Sequence, residues 1–259
     1  MILRDCFSGL LVAFGMYSAL PLPQVEWKKH TMRYALGFLP LIGVLVGACE
    51  YGWLLLAQHW ELHTMLYAAG AVLLPVAITG GIHVDGFVDS CDALCSYSET
   101  EKKLEILKDP HVGAFGILWM VVLLLAQFGL FAQLYDTPQF AGFLFAGYAL
   151  ARAFGGDLIV TQKCAKDSGL ARMFADNTDK KQVSYVMAGW IAASVCWLLF
   201  LGKGFGLAVF VLLLLYFVYH VRLCYRQFGG ITGDLCGMCI TMMETLALLA
   251  AVVCGLCMR

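Results

Sequence analysis

A histidine and three aspartates crowd into the ten residues 83–92: His83, Asp85, Asp89 and Asp92. The aspartates are spaced i, i+4, i+7, which on a helix puts them on one face. Like charges at that spacing repel by about a few tenths of a kcal/mol per pair even in water. Beside lipid the cost rises, because ionised groups are poorly solvated there. A divalent cation offsets the repulsion directly. Mg²⁺ favours carboxylate oxygens, keeps some of its waters and commonly shares its shell with substrate phosphates, whereas softer metals prefer cysteine and histidine. The run therefore reads as a magnesium–phosphate site with Asp85, Asp89 and Asp92 as ligands. An acidic helix start held by the helix dipole is the plainer alternative. Three aligned carboxylates at the mouth of an apolar segment favour the metal. His83 is a candidate substrate contact, although a histidine near a helix start often serves structure alone.

Two further polar knots carry candidate chemistry. The first is Lys108-Asp109, where Pro110 must break a charged helical stretch. A lysine at such a corner suits a phosphate, and an aspartate there suits a base or a further ligand. The small residues of Gly113-Ala-Phe-Gly116 behind it allow close helix packing. The second knot is FGGITGDLCG, residues 228–237. Gly229, Gly230 and Gly233 permit a tight loop whose backbone N–H groups can converge on an anion, with Thr232 and Asp234 inside it. A helix starting there would add to anion binding. The spacing is not that of a P-loop, and a plain turn between two helices is the competing reading. Glu50, Arg152, Asp157 and Glu244 are ionisable groups inside apolar segments and are functional candidates for that reason. Arg152 can hold a phosphate or pair with a carboxylate of another helix. Glu244 lies about three turns below Asp234 on a continuous helix.

The elements that must position these groups are membrane helices. Of 259 residues, 61% are hydrophobic and only 14% charged, against roughly a quarter charged in soluble domains. No basic region stands out, so a nucleic-acid partner is not expected. A crossing helix needs roughly 20 apolar residues. Segments 34–57, 62–82, 112–135, 138–162, 183–201, 204–222 and about 236–258 qualify. The expectation is an all-α, polytopic bundle of about seven such helices in one integral domain, residues 1–259. Segment 2–20 adds an N-terminal helix that either spans or lies at the surface, with Leu3, Phe7, Leu10, Phe14 and Tyr17 on one stripe. Pro21-Leu-Pro23 and the lack of a small-residue cleavage site argue against a signal peptide. Eleven cysteines lie mostly in or beside apolar runs, where cysteine behaves as a small hydrophobe. Zinc or disulfide roles are not expected.

Thirteen of the 17 lysines and arginines fall in the polar stretches 24–33, 83–111, 163–182 and 222–230. Counting crossings in pairs puts all four stretches on one side, and their positive charge makes that side cytoplasmic. The five basic residues of 163–182 fit an anionic substrate as well as they fit orientation alone.

The runs GGIHVDGFVDSCDAL, LEILKDPHVGAFG and GGITGDLCG, in that order, together with the opening LPLP and RYALGFLPLIGVLVG, resemble the adenosylcobinamide-GDP ribazoletransferase (cobalamin 5′-phosphate synthase) family over nearly the whole chain. That resemblance implies a multi-pass enzyme of the cytoplasmic membrane. It implies transfer of the cobinamide phosphate arm from adenosylcobinamide-GDP to α-ribazole or its 5′-phosphate, with release of GMP and a requirement for Mg²⁺. Asp85, Asp89 and Asp92 would hold the metal and Asp92 or Asp109 would take the hydroxyl proton. Lys108 and Arg152 would hold phosphate oxygens. A homo-oligomer is left open. Two departures stand out. Ala93 follows the third aspartate where the family often has glycine. Tyr17-Ser-Ala-Leu-Pro21 lacks the arginine expected before its proline, so no substrate role is expected of that region. Two rivals remain. A CDP-alcohol phosphotransferase would share metal and membrane, but the arginine its motif needs is absent. A transporter would bury its polar groups near the midplane, while most here lie at one face.

Overall fold

The computed structural model describes residues 2–23 and 25–258, apart from the side chains of residues 2 and 3, so Leu3's part in the expected stripe lies outside the described side chains. Twelve α-helices are found among the described residues. They begin with α1 (Ile2–Tyr17), the single turn α2 (Lys29–Met32) and α3 (Leu39–His59). Next come α4 (Thr64–Thr79), α5 (Ile82–Cys95), α6 (Thr100–Ile106) and α7 (Ala114–Tyr135). The chain continues with α8 (Gly142–Thr161), α9 (Leu170–Asn177), α10 (Lys180–Gly202), α11 (Gly204–Phe228) and α12 (Gly233–Cys257). The only strand-like pairing among the described residues is a parallel bridge between Cys164 and Ile231.

Six segments are long and apolar enough to cross a membrane: Lys29–His59, Ala114–Tyr135, Pro138–Thr161, Lys180–Gly202, Gly204–Phe228 and Gly233–Cys257. The segment expected as one span over 62–82 behaves differently. α4 stops at Thr79, and α5 leaves it at 96°. The corner is made by Gly80 and Gly81, both left-handed at φ 65° and 78°, a conformation that costs glycine little. The Thr79 hydroxyl locks it, donating to Pro75 O at 2.7 Å and accepting from Gly81 N at 3.3 Å. α4, at 16 residues, makes a seventh candidate crossing only when counted with α5 as a bent pair, and α5, with the three aspartates, turns away from it. α1, at 16 residues, is short for a crossing. It buries Val12, Ala13 and Tyr17 against the bundle and exposes Phe7.

α8 is the hub, with 89% of its apolar window buried, whereas α7 buries 17% of its own. Outward-facing Leu118, Val122 and Leu125 of α7 have no protein to cover them and suit a lipid surface. Arg152 of α8 is fully buried and pairs with Glu244 of α12. Its Nη1 also donates to Tyr148 O at 3.2 Å. Glu50 of α3 is buried as well, and its carboxylate oxygens have no hydrogen-bond partner among the described residues.

The four polar stretches are tied together at one end of this bundle. Arg33 donates to the Asp179 carboxylate at 2.7 Å, and Asp179 N donates to Arg33 O at 3.0 Å. Lys103 donates to Gln227. Ala165 N donates to Ile231 O at 2.8 Å and Ile231 N to Lys163 O at 2.9 Å, the two rungs of the bridge.

Candidate active site

Between these tied loops lies a cavity of about 440 Å³. Asp85 and Lys108 line one part of it, Thr232, Gly233 and Asp234 another, and Lys166 and Arg172 a third, with Tyr17 and His83 at the wall. The lining is assembled from segments remote in sequence, and small residues are what let them meet. A Cβ on Gly86 would come 2.7 Å from Asp234 O, and one on Gly237 would come 3.1 Å from His83 O. The two glycines therefore let α5 lie directly on the first turn of α12, which brings Asp234 beside Asp85 and Asp89.

The carboxylates are not equivalent. Asp92 caps α7: its two oxygens accept the N–H groups of Gly113 and Gly116, the latter at 2.8 Å. Those donors sit at the start of α7, where backbone N–H groups have no helical partner. Asp85 is exposed at the cavity. Asp89 is half-buried, and its pKa is pushed up to about 6, first by burial and then by the negative charges of Asp85, Asp234 and Asp92. The one opposing influence is Lys166. The cluster thus carries more negative charge than its own cations neutralise, and the donor set is all oxygen, which fits Mg²⁺. Among the described residues no three His, Cys, Asp or Glu side chains already converge on one point. A magnesium shell here would be completed by substrate oxygens and water, the usual habit of that ion.

His83 is buried and stacks on Tyr17, with ring centroids 6.1 Å apart and planes 13° apart. Its Nε2 has no hydrogen-bond partner among the described residues. Burial, and next the positive charge of Arg152, hold its pKa well below the usual histidine value, so it meets the cavity as a neutral ring. Thr232 is the N-cap of α12, accepting Leu235 N at 3.3 Å and donating to Asp234 Oδ2 at 3.3 Å.

Several expected site residues lie elsewhere. Asp109 does not line the cavity. It accepts the backbone N–H of its neighbour His111 at 2.9 Å and meets that ring at 2.7 Å, contacts that lower its pKa. Arg152 and Glu244 occupy each other inside the bundle instead of reaching the cavity. Gly229 closes α11 in a left-handed cap at φ 72°. Gly230 is a packing residue: a Cβ there would come 2.5 Å from Lys163 O. The glycine loop also spends Ile231 N on that same carbonyl. Of the loop's expected site residues, Thr232, Gly233 and Asp234 line the cavity and Gly229 and Gly230 do not. In the other direction, Tyr17 and Met16 line the wall, although the departure from the family pattern at 17–21 had removed that region from consideration. Lys166 and Arg172 line it too. Their signal in the sequence was a basic stretch with two equally good readings.

Comparison with known proteins bears on what this site serves. The family model described as cobalamin-5-phosphate synthase matches residues 9–252. The chain belongs to the cobalamin-5-phosphate synthase family. It is 36% identical over 246 residues to a protein of Lachnoclostridium phytofermentans, covering 95% of this chain and 94% of that one. It is 30% identical over 254 residues to one of Clostridium botulinum, covering 96% and 98%. A protein of Shewanella amazonensis is 30% identical over 239 residues, covering 90% of each chain. All three bear the name adenosylcobinamide-GDP ribazoletransferase. No solved structure matches the chain. The multi-pass helical architecture thus belongs to a chain whose relatives are named as transferases.

Proposed function

We propose that this chain is a magnesium-dependent adenosylcobinamide-GDP ribazoletransferase. It would join α-ribazole or its 5′-phosphate to the cobinamide phosphate arm and release GMP, completing the nucleotide loop of a cobalamin. The observation that carries the reading is the cavity, where Asp85 and Asp234 face Lys108 and Lys166, in a chain that its family model matches over residues 9–252. Carboxylates opposite cations suit a diphosphate that needs both a metal and direct charge neutralisation.

In the reaction a ribose hydroxyl forms a new O–P bond at the phosphorus bearing the cobinamide arm. The phosphoanhydride bond breaks and GMP leaves with the bridging oxygen. The hydroxyl proton passes to a carboxylate of the Asp85–Asp89–Asp234 group. Magnesium held by these side chains would neutralise charge on the diphosphate and on departing GMP. Asp92, committed to the start of α7, fixes how α5 and α7 meet and so holds Asp85 and Asp89 in register. Lys108 contacts phosphate oxygens. The neutral His83 offers Nε2 to a hydroxyl or amide of the substrate. Asp109, Arg152 and Glu244 have structural parts in this scheme. The four basic polar stretches support a cytoplasmic orientation of the cavity in the cell membrane. That side is where nucleotide-activated substrates occur.

The test uses purified protein in lipid, supplied with adenosylcobinamide-GDP and α-ribazole, with and without Mg²⁺. Magnesium-dependent GMP release matched by corrinoid product is expected. A monodisperse protein releasing no GMP with either form of α-ribazole would refute the reading.

A further inference from the structure

Lys166 reaches the cavity by an arrangement that local structure does not require. It sits in the loop between α8 and α9, two residues past Cys164. That loop is pinned to the 229–234 loop by the two backbone hydrogen bonds between Lys163, Ala165 and Ile231, at 2.9 and 2.8 Å. The close approach demands a glycine at 230, since any Cβ would strike Lys163 O. The result delivers an amine opposite the first turn of α12 and the acidic face of α5.

The other cations of the site are differently employed. Arg172 is held by Asp176 at 2.9 Å. Lys108 enters from the turn after α6 and is exposed. Lys166 is half-buried and has no direct ion-pair or hydrogen-bond partner among the described residues. It acts on Asp234 and Asp89 through space. Burial, and then the like charge of Lys108, disfavour its charged form, while those two carboxylates favour it. Two cations close enough to repel, facing carboxylates that repel one another, form a site at rest without its ligand. A diphosphate satisfies the lysines, and a divalent metal satisfies the carboxylates.

We propose that Lys166, with Lys108, binds the diphosphate of the donor substrate, and that in the substrate-free protein Lys166 serves as the resident counter-charge to the cavity carboxylates, Asp234 above all. The proposal rests on the reading of function above and names a binding residue for it. Its consequence is a change of partners. When the carboxylates take a metal, the lysine is released to the phosphates, so metal and diphosphate binding reinforce each other through one side chain. The lysine also competes with the metal for the same carboxylates.

That competition gives a test with opposite signs. Wild type, Lys166→Gln and Lys166→Arg are purified in detergent and titrated separately with GDP, with Mg²⁺ alone and with α-ribazole 5′-phosphate, by calorimetry. Lys166→Gln is expected to weaken GDP by about tenfold or more, the loss of one charged hydrogen bond, and to tighten Mg²⁺ several-fold. Lys166→Arg is expected to keep GDP binding near wild type. A lysine that only held the loop in shape would weaken both ligands together. Unchanged GDP affinity, weakened Mg²⁺ binding, or a loss confined to α-ribazole 5′-phosphate would each overturn the proposal. GMP release is measured on the same wild-type preparation. Release accompanied by normal GDP binding in Lys166→Gln sinks the lysine proposal alone, whereas no release with either acceptor sinks the reading of function.

Discussion

Replacing Asp89 by asparagine separates the charge at the site from its shape. In the folded protein Asp89 has a pKa of about 6, against about 3.9 for an unperturbed aspartate. A difference of roughly two in pKa corresponds to about 3 kcal/mol if fully expressed. Asp89 is only half-buried, so solvent screening reduces this to about 1–1.5 kcal/mol. The sign follows from linkage. The folded value lies above the unfolded one, so folding disfavours the ionised carboxylate. The penalty is absent below about pH 4, grows as pH rises through about 6, and is constant above. Asparagine removes it without emptying the space. In metal-free buffer at pH 8, Asp89→Asn should therefore melt higher than wild type, by about 2–4 °C per kcal/mol. At pH 4 the two should melt together. Added Mg²⁺ should raise the wild-type melting temperature by mass action and raise that of the variant less. GMP release should be lost in the variant at every pH. Scanning fluorimetry at three pH values, with and without metal, reads all of this. A variant that melts lower than wild type in metal-free buffer at pH 8, or a difference that does not depend on pH, would refute the account of a carboxylate cluster short of a cation.

Other perturbations test the scaffold. Gly86→Val should lose activity and cost about 1–3 kcal/mol, because its first side-chain atom would meet Asp234 O at 2.7 Å; Gly86→Ala should do the same more mildly, by melting temperature and GMP release. Glu244→Gln should leave Arg152 with its buried charge uncompensated, at a cost of about 3–5 kcal/mol, seen as poor accumulation in membranes. The double change Arg152→Met with Glu244→Leu should restore accumulation, and its failure to do so would give the pair a role beyond stability. Asp109→Asn should keep activity within a few-fold, since its carboxylate attends to His111 outside the cavity; a loss of about a hundredfold or more would return it to the chemistry.

What could be read in advance was what depends on neighbours along the chain. The apolar runs marked the crossings, and the i, i+4, i+7 spacing marked the acidic face of α5. The Gly80-Gly81 pair that ends α4 was visible in the sequence, yet hydropathy alone carried the expected span through to residue 82. The division of labour among the aspartates was not visible, because Asp92 is claimed by N–H groups 21 and 24 residues away. Arg152 and Asp109 illustrate the same limit from two sides. An arginine inside a span is equally a phosphate ligand or half of an ion pair until its facing helix is known, and that helix brings Glu244 from 92 residues further on. Asp109 was drawn toward the site by its neighbour Lys108, but consecutive side chains point different ways, and only the lysine lines the cavity. Lys166 needed the bridge to Ile231 to have an address at all.

The dependence on α12 also sets an order of events during synthesis. This helix supplies Asp234 to the acidic cluster, Gly237 to the seat of α5, and Glu244 to the arginine of α8. It follows the other eleven helices along the chain. Until it enters the membrane, Arg152 waits there without its carboxylate, and the groove beside α5 stands open. A chain lacking α12 therefore differs from the complete one by a charge left unpaired inside the bundle. The step that gives Arg152 its partner is thus the same one that assembles the cavity.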